Sequence, residues 1–188
     1  MSLPLYLNPI IGYRRWRVRV IRGKLTLLSI LHTYDWPMQK PLIAECKCSN
    51  INYVHLGPDI NTLTSDCGIY AYKSYELMSE DIPQHDGIFG RVALWGRVVE
   101  AEKGYKATKA YPLQIDGGFC ILCLKQLTFN MEIIWNTVAD TTHPAIASGP
   151  VHKKCYNSLY LQNPIDYGYF SDFLKIINQN YNLEQEMK

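Results

Sequence analysis

The sequence predicts an α+β protein. Its β-rich first part, residues 1–114, is followed by a zinc module with a closing helix, residues 115–188. Three observations carry this expectation. Apolar and basic residues alternate with period two near the start, Cys/His pairs at metal-ligand spacing lie in the second half, and apolar residues recur at helical spacing near the end.

The alternating stretch is Tyr13-Arg-Arg-Trp-Arg-Val-Arg-Val-Ile-Arg22, with Trp16, Val18 and Val20 against Arg15, Arg17 and Arg19. This is the pattern of a half-buried strand. Gly23 offers a turn and Leu25–Leu31 a hairpin partner. A second hairpin is expected from Gly90–Glu100 and Tyr105–Tyr111, turning at Lys103-Gly104 and closed by Pro112. Ile115-Asp-Gly-Gly118 reads as a boundary. Beyond it, Pro150 suits the first turn of a helix over about Val151–Leu161, ended by Asn163-Pro164. A last helix from Tyr169 to about Asn180 gathers Phe170, Phe173, Leu174, Ile176, Ile177 and Tyr181 on one face.

The 188 residues are 47% hydrophobic, which excludes a largely disordered chain. A net charge of +2 gives no bulk attraction to nucleic acid or anionic membrane. No run of about 18 apolar residues is present, so no membrane helix is expected. The opening Met1-Ser-Leu-Pro-Leu-Tyr6 lacks the basic and apolar regions of a signal peptide, and the expected location is cytoplasmic. Thiols stay reduced there, so six cysteines with histidines nearby point to metal rather than disulfides.

Cys120-Ile-Leu-Cys123 and His152-Lys-Lys-Cys155 together supply a Cys₃His donor set suited to structural zinc. Lys125, Lys153 and Lys154 would offset the charge of three thiolates. Cys46, Cys48, His55 and Cys67 form a second candidate set, so one or two zinc ions are expected. Against each set stands the plainer reading of buried cysteines beside a solvated histidine. The knuckle and the Gly-Pro-Val-His-x-x-Cys-Tyr helix start resemble a treble-clef zinc finger over roughly residues 119–161, although Leu124 follows Cys123 where a glycine or proline is usual and the segment between the ligand pairs is long.

Catalysis is the minority expectation. Asp140-Thr-Thr-His143 invites comparison with HNH-type nucleases, in which a treble-clef zinc supports a histidine base, with Asn157 as a conceivable orienting residue. The acid, however, stands three residues from His143 instead of beside it. Gly117-Gly118 and Gly87…Gly90 lack the residues of a phosphate loop, so no nucleotide cofactor is expected. Recognition is the leading expectation, of nucleic acid first and a protein partner second. Arg14, Arg15, Arg17 and Arg19 with Trp16 would give phosphate contacts and a stacking surface. The aromatic tail, Tyr167 to Tyr181, is the candidate protein-binding surface.

Cys67-Gly-Ile-Tyr-Ala71, Gly90-Arg-Val-Ala-Leu-Trp-Gly-Arg-Val-Val-Glu100 and Gly104-Tyr-Lys-Ala-x-x-Ala-Tyr-Pro112 resemble a family of uncharacterised bacterial proteins. The resemblance covers roughly residues 12–112. It implies a compact, β-rich protein of prokaryotic or phage type and no particular activity. Trp95-Gly-Arg-Val98 is also similar to a stretch of PUA-like β-barrels that grip RNA, which would place Trp95 and Arg97 near a pocket. The alternative puts Trp95 in the core and Gly96 at a bulge.

Overall fold

The computed structural model describes residues 8–30, 34–44, 67–81, 87–120, 122–136, 149–156 and 165–183. Strand dominates. In chain order the elements are β1 (Ile10–Ile21), β2 (Lys24–Ser29), β3 (Leu42–Ile43), β4 (Ile69–Tyr72), α1 (Tyr75–Asp81), β5 (Gly87–Glu100), β6 (Gly104–Phe119), β7 (Gln126–Leu127), β8 (Glu132–Asn136), β9 (Gly149–His152), α2 (Lys153–Tyr156), β10 (Ile165–Tyr169) and α3 (Phe170–Tyr181). The chain divides into two compact units. The first holds Met1–Arg14, Lys40–Asp81 and Arg91–Leu113, and the second holds Arg15–Gln39, Ile82–Gly90 and Gln114–Lys188.

In the first unit β4 runs antiparallel to β6, from Ile69 opposite Ala107 to Tyr72 opposite Gly104. β3 pairs with β6 at Leu42–Ala110 and Ile43–Lys109. Met78 of α1 is fully buried, and Ser74 Oγ caps the helix by accepting the Leu77 N–H at 3.3 Å. Sequence reading missed this helix, although Ser74 followed by Glu76 in the first turn is a start signal. Lys106 is 1% exposed, and its ammonium lies 5.3 Å from the Tyr70 ring centroid, an attraction that offsets part of the cost of burying the charge.

In the second unit β1 and β2 form the expected hairpin, with Ile21 opposite Lys24. The two loop residues, Arg22 and Gly23, both have positive φ, as a type I′ turn requires. Burial along β1 departs from the expected alternation. Arg15 is buried at 2% exposure, its guanidinium 5.1 Å from the Phe119 ring centroid, while Val20 is exposed.

β5 and β6 form the second expected pair, but Pro112 does not close it, because β6 runs on through residues 115–118 to Phe119. Gly117 and Gly118 are strand positions chosen for space. A Cβ at Gly117 would meet Phe89 Cζ at 2.5 Å, and one at Gly118 would meet Phe170 Cζ at 2.9 Å. Glycine is the residue that lets neighbouring rings come this close to the backbone.

A second, three-stranded sheet has the order β10-β8-β9. Here β9 corrects the expected helix start: Val151 and His152 are strand residues opposite Ile134 and Ile133, and the helix begins at Lys153. Pro150 is tolerated because β9 is an edge strand, and β-branched Val151 gains more from burial in the sheet than from a helical turn. Residues 157–164, where that helix was to continue and end, lie outside the described residues.

α3 is the expected last helix. Phe170, Phe173, Leu174, Ile177 and Tyr181 are buried, and Ile176 is exposed. The aromatic tail therefore packs inward over most of its length. Each large side chain buried in this way contributes about 1.5–3 kcal/mol. Tyr181 is fully buried. Its hydroxyl accepts the Leu27 N–H at 2.8 Å and donates to the Trp36 carbonyl at 2.8 Å, while Asn180 Nδ2 donates to the Leu25 carbonyl at 3.0 Å. Trp36 meets Trp16 edge to face at 5.6 Å and donates its indole N–H to Ser29 Oγ. No helix among the described residues is long and apolar enough to cross a membrane.

Candidate metal centre

The site begins where β6 ends. The Cys120 N–H donates to the Lys125 carbonyl at 2.9 Å, and the Leu124 N–H donates back to the Cys120 carbonyl at 2.8 Å. These bonds fold residues 120–125 into a tight knuckle, and β7 then returns along β6 with Gly118 opposite Leu127. The turn requires a left-handed residue, and Leu124 takes that role at φ +59° with no glycine to relieve the strain. From the second sheet, β9 delivers His152 at its last position, and Cys155 follows three residues later in α2.

The ligand atoms of Cys120, Cys123, His152 and Cys155 all lie within 4.8 Å of one another. His152 Nδ1 is 3.2 Å from Cys123 Sγ and 3.6 Å from Cys155 Sγ. Sulfur and nitrogen donors around one tetrahedral zinc stand roughly 3.4–3.8 Å apart, so small adjustments of these side chains would bring the four donors onto a single ion. Cys120 and His152 are buried, and Cys123 and Cys155 half-buried. The His152 backbone N–H donates to Cys120 Sγ at 3.4 Å, a bond that favours the thiolate.

The electrostatics treat the donors differently. Burial pushes the Cys123 thiol up, but the Lys125 backbone, the Cys120 and Cys155 thiols and the Lys125 charge outweigh it, leaving Cys123 below its ordinary value. Burial, followed by the effect of its cysteine neighbours, pushes Cys155 up to about 11. Burial, helped by Lys154 and Lys125, lowers His152, so its ring is neutral at pH 7 with a lone pair to give. Lys153 leans instead on Glu132, at 3.4 Å.

Of the second candidate set, Cys67 is buried and Cys46, Cys48 and His55 lie outside the described residues. So do Asp140, His143 and Asn157. The arginine strand is less open than expected. Trp16 is fully buried and Arg15 nearly so. Arg14, lowered by burial to about 10, donates to the Tyr70 carbonyl. Arg19 pairs with Asp35, and Arg17 is half-buried. Trp95 is half-buried, while Arg97 is exposed with its backbone N–H on Thr108 Oγ1 at 3.1 Å. Sequence reading did not single out Met131, whose sulfur lies 3.1 Å from His152 Nε2; a lone methionine between two ligand pairs carries no spacing signal.

No protein-family model, curated protein or solved structure matches this chain. The geometry therefore carries the functional argument.

Proposed function

We propose that this chain is a recognition module whose second unit is held by one structural zinc ion on Cys120, Cys123, His152 and Cys155. The convergence of these four donors within 4.8 Å carries the reading. Three thiolates and an imidazole make a soft, closed set that suits zinc and leaves no position for a reacting water. A knuckle followed by paired short strands and a ligand-bearing helix also agrees with the order of elements in a treble clef.

Nucleic acid is the first partner we propose, with a protein partner second. The burial of Arg15 and Trp16 moves the surface away from β1. Lys125 and Lys154 are exposed beside the donor cluster. Phe129 and Tyr169 are 57% and 50% exposed, and the Phe129 carbonyl accepts the Ser171 N–H at 3.1 Å, so the two segments are joined. Exposed lysines and exposed aromatic rings within one unit suit single strands, whose bases stack while the phosphates meet lysine.

Two measurements test the reading. Purified protein should carry one zinc per chain, and a preparation without metal that folds as well as one with it removes the structural role. Fluorescence anisotropy against short single-stranded DNA and RNA should show binding that weakens steeply with salt and is lost in a Lys125→Glu, Lys154→Glu variant. Salt-independent capture of a defined protein would favour the second partner.

A further inference from the structure

The two nitrogens of His152 face different neighbours. Nδ1 points into the donor cluster, toward Cys123 and Cys155. Nε2 faces Met131 Sδ at 3.1 Å. A neutral imidazole carries one proton, and a thioether can accept a hydrogen bond but cannot donate one. We propose that His152 holds the metal through Nδ1, and that Met131 is the positioning residue that selects this by accepting the Nε2–H.

The proposal rests on the zinc reading above and names the ligating atom and the residue behind it. Met131 is itself tied down. Its backbone N–H donates to the Thr128 carbonyl at 3.0 Å and its carbonyl accepts the Phe170 N–H at 2.8 Å. Its sulfur also receives the Thr128 N–H at 3.5 Å. Because Met131 sits beyond the nitrogen that faces away from the thiols, its sulfur stands outside the donor set. Partners behind a metal ligand fix its tautomer and ring orientation, and losing one costs about 10–100-fold in affinity. A thioether is a weak acceptor, which sets the expectation near the lower figure.

The experiment uses the full chain loaded with zinc and, separately, with cadmium. A long-range proton–nitrogen correlation spectrum of the zinc form should show His152 protonated at Nε2. Cadmium should couple to the Hε1 ring proton and not to Hδ2. Coupling to both ring protons means ligation through Nε2 and overturns the proposal. Met131→Leu keeps the volume and removes the acceptor. It should weaken zinc affinity about tenfold and mix the His152 tautomers in the metal-free protein. Met131→Gln supplies an amide oxygen and should restore the single tautomer and at least the parent affinity. Unchanged affinity and a single tautomer in metal-free Met131→Leu would end the positioning role even with Nδ1 ligation intact. A parent protein that takes up neither metal defeats the zinc reading itself, an outcome distinct from zinc bound through the other nitrogen.

Discussion

Two parts of the second unit reach stability by different routes. Where α3 meets the β1–β2 hairpin, the interior holds Phe170, Phe173, Leu174, Ile177, Tyr181, Trp16, Trp36 and Leu27. Over residues 120–156 the apolar residues buried among those described are small in number and size: Leu127, Ile133, Ile134, Val151 and the aliphatic ring of Pro150. At the middle of that segment stand three thiols and an imidazole. Four donors converging on one ion would give this segment a source of cohesion that does not depend on apolar burial. Carbon packing closes one region, and in the proposed zinc reading ligand convergence closes the other.

The sharpest way to break the comparison is to remove donors. Cys120→Ser with Cys123→Ser should abolish zinc uptake, forfeiting metal-binding free energy on the order of 10 kcal/mol. Hydrogen exchange should then show residues 120–156 losing protection while α3 and β2 keep theirs. Equal loss in both regions would mean that they are not separately held. The mirror experiment is Phe173→Ala, which opens a cavity under α3. It should cost about 3–5 kcal/mol in denaturant titrations and leave zinc stoichiometry at the parent value. Tyr181→Phe is finer. It strands the Leu27 N–H and the Trp36 carbonyl in a dry interior and should cost about 1–3 kcal/mol.

Acidity gives a fourth handle. With its metal-free value raised to about 11, Cys155 is protonated at neutral pH, and zinc must expel that proton to bind. Affinity should therefore rise with pH, by up to about tenfold per unit for that one proton. Zinc competition titrations across the neutral range check the slope, and a flat profile removes Cys155 from the ligand set. The smallest effect belongs to the knuckle. Leu124 holds a left-handed conformation and is 44% exposed, so Leu124→Gly relieves strain with little lost packing. It should stabilise the zinc-bound protein by about 1 kcal/mol in thermal melts.

The legibility of these features followed their locality. The β1–β2 hairpin and α3 could be read because period-two and helical patterns are local, and the Cys₃His set because ligand pairs keep short spacings. What escaped depended on distant partners. Arg15 looked like an outward cation on an alternating strand, yet Phe119 lies 104 positions along the chain and offers its ring. Gly117 and Gly118 read as part of a boundary because nothing nearby shows that Phe89 and Phe170 need the room. His152 looked helical from Pro150 and the i, i+3 spacing, but pairing with Ile133 placed it in a strand. The start signal of α1, Ser74 with Glu76, is weak because it sits among residues that also suit strands.

The Tyr181 hydroxyl has a meaning for synthesis as well as for stability. It joins Leu27 to a residue 154 positions later, so the β1–β2 hairpin leaves the ribosome long before the helix that covers it. Throughout that interval Trp16, Leu27 and Trp36 lack their lid, and late in it the knuckle and its partner ligands emerge ahead of α3, where they could take up the proposed zinc first. The nascent chain is thus expected to mature from its middle outward, with its earliest strands the last to be sealed and the most dependent on a chaperone while they wait.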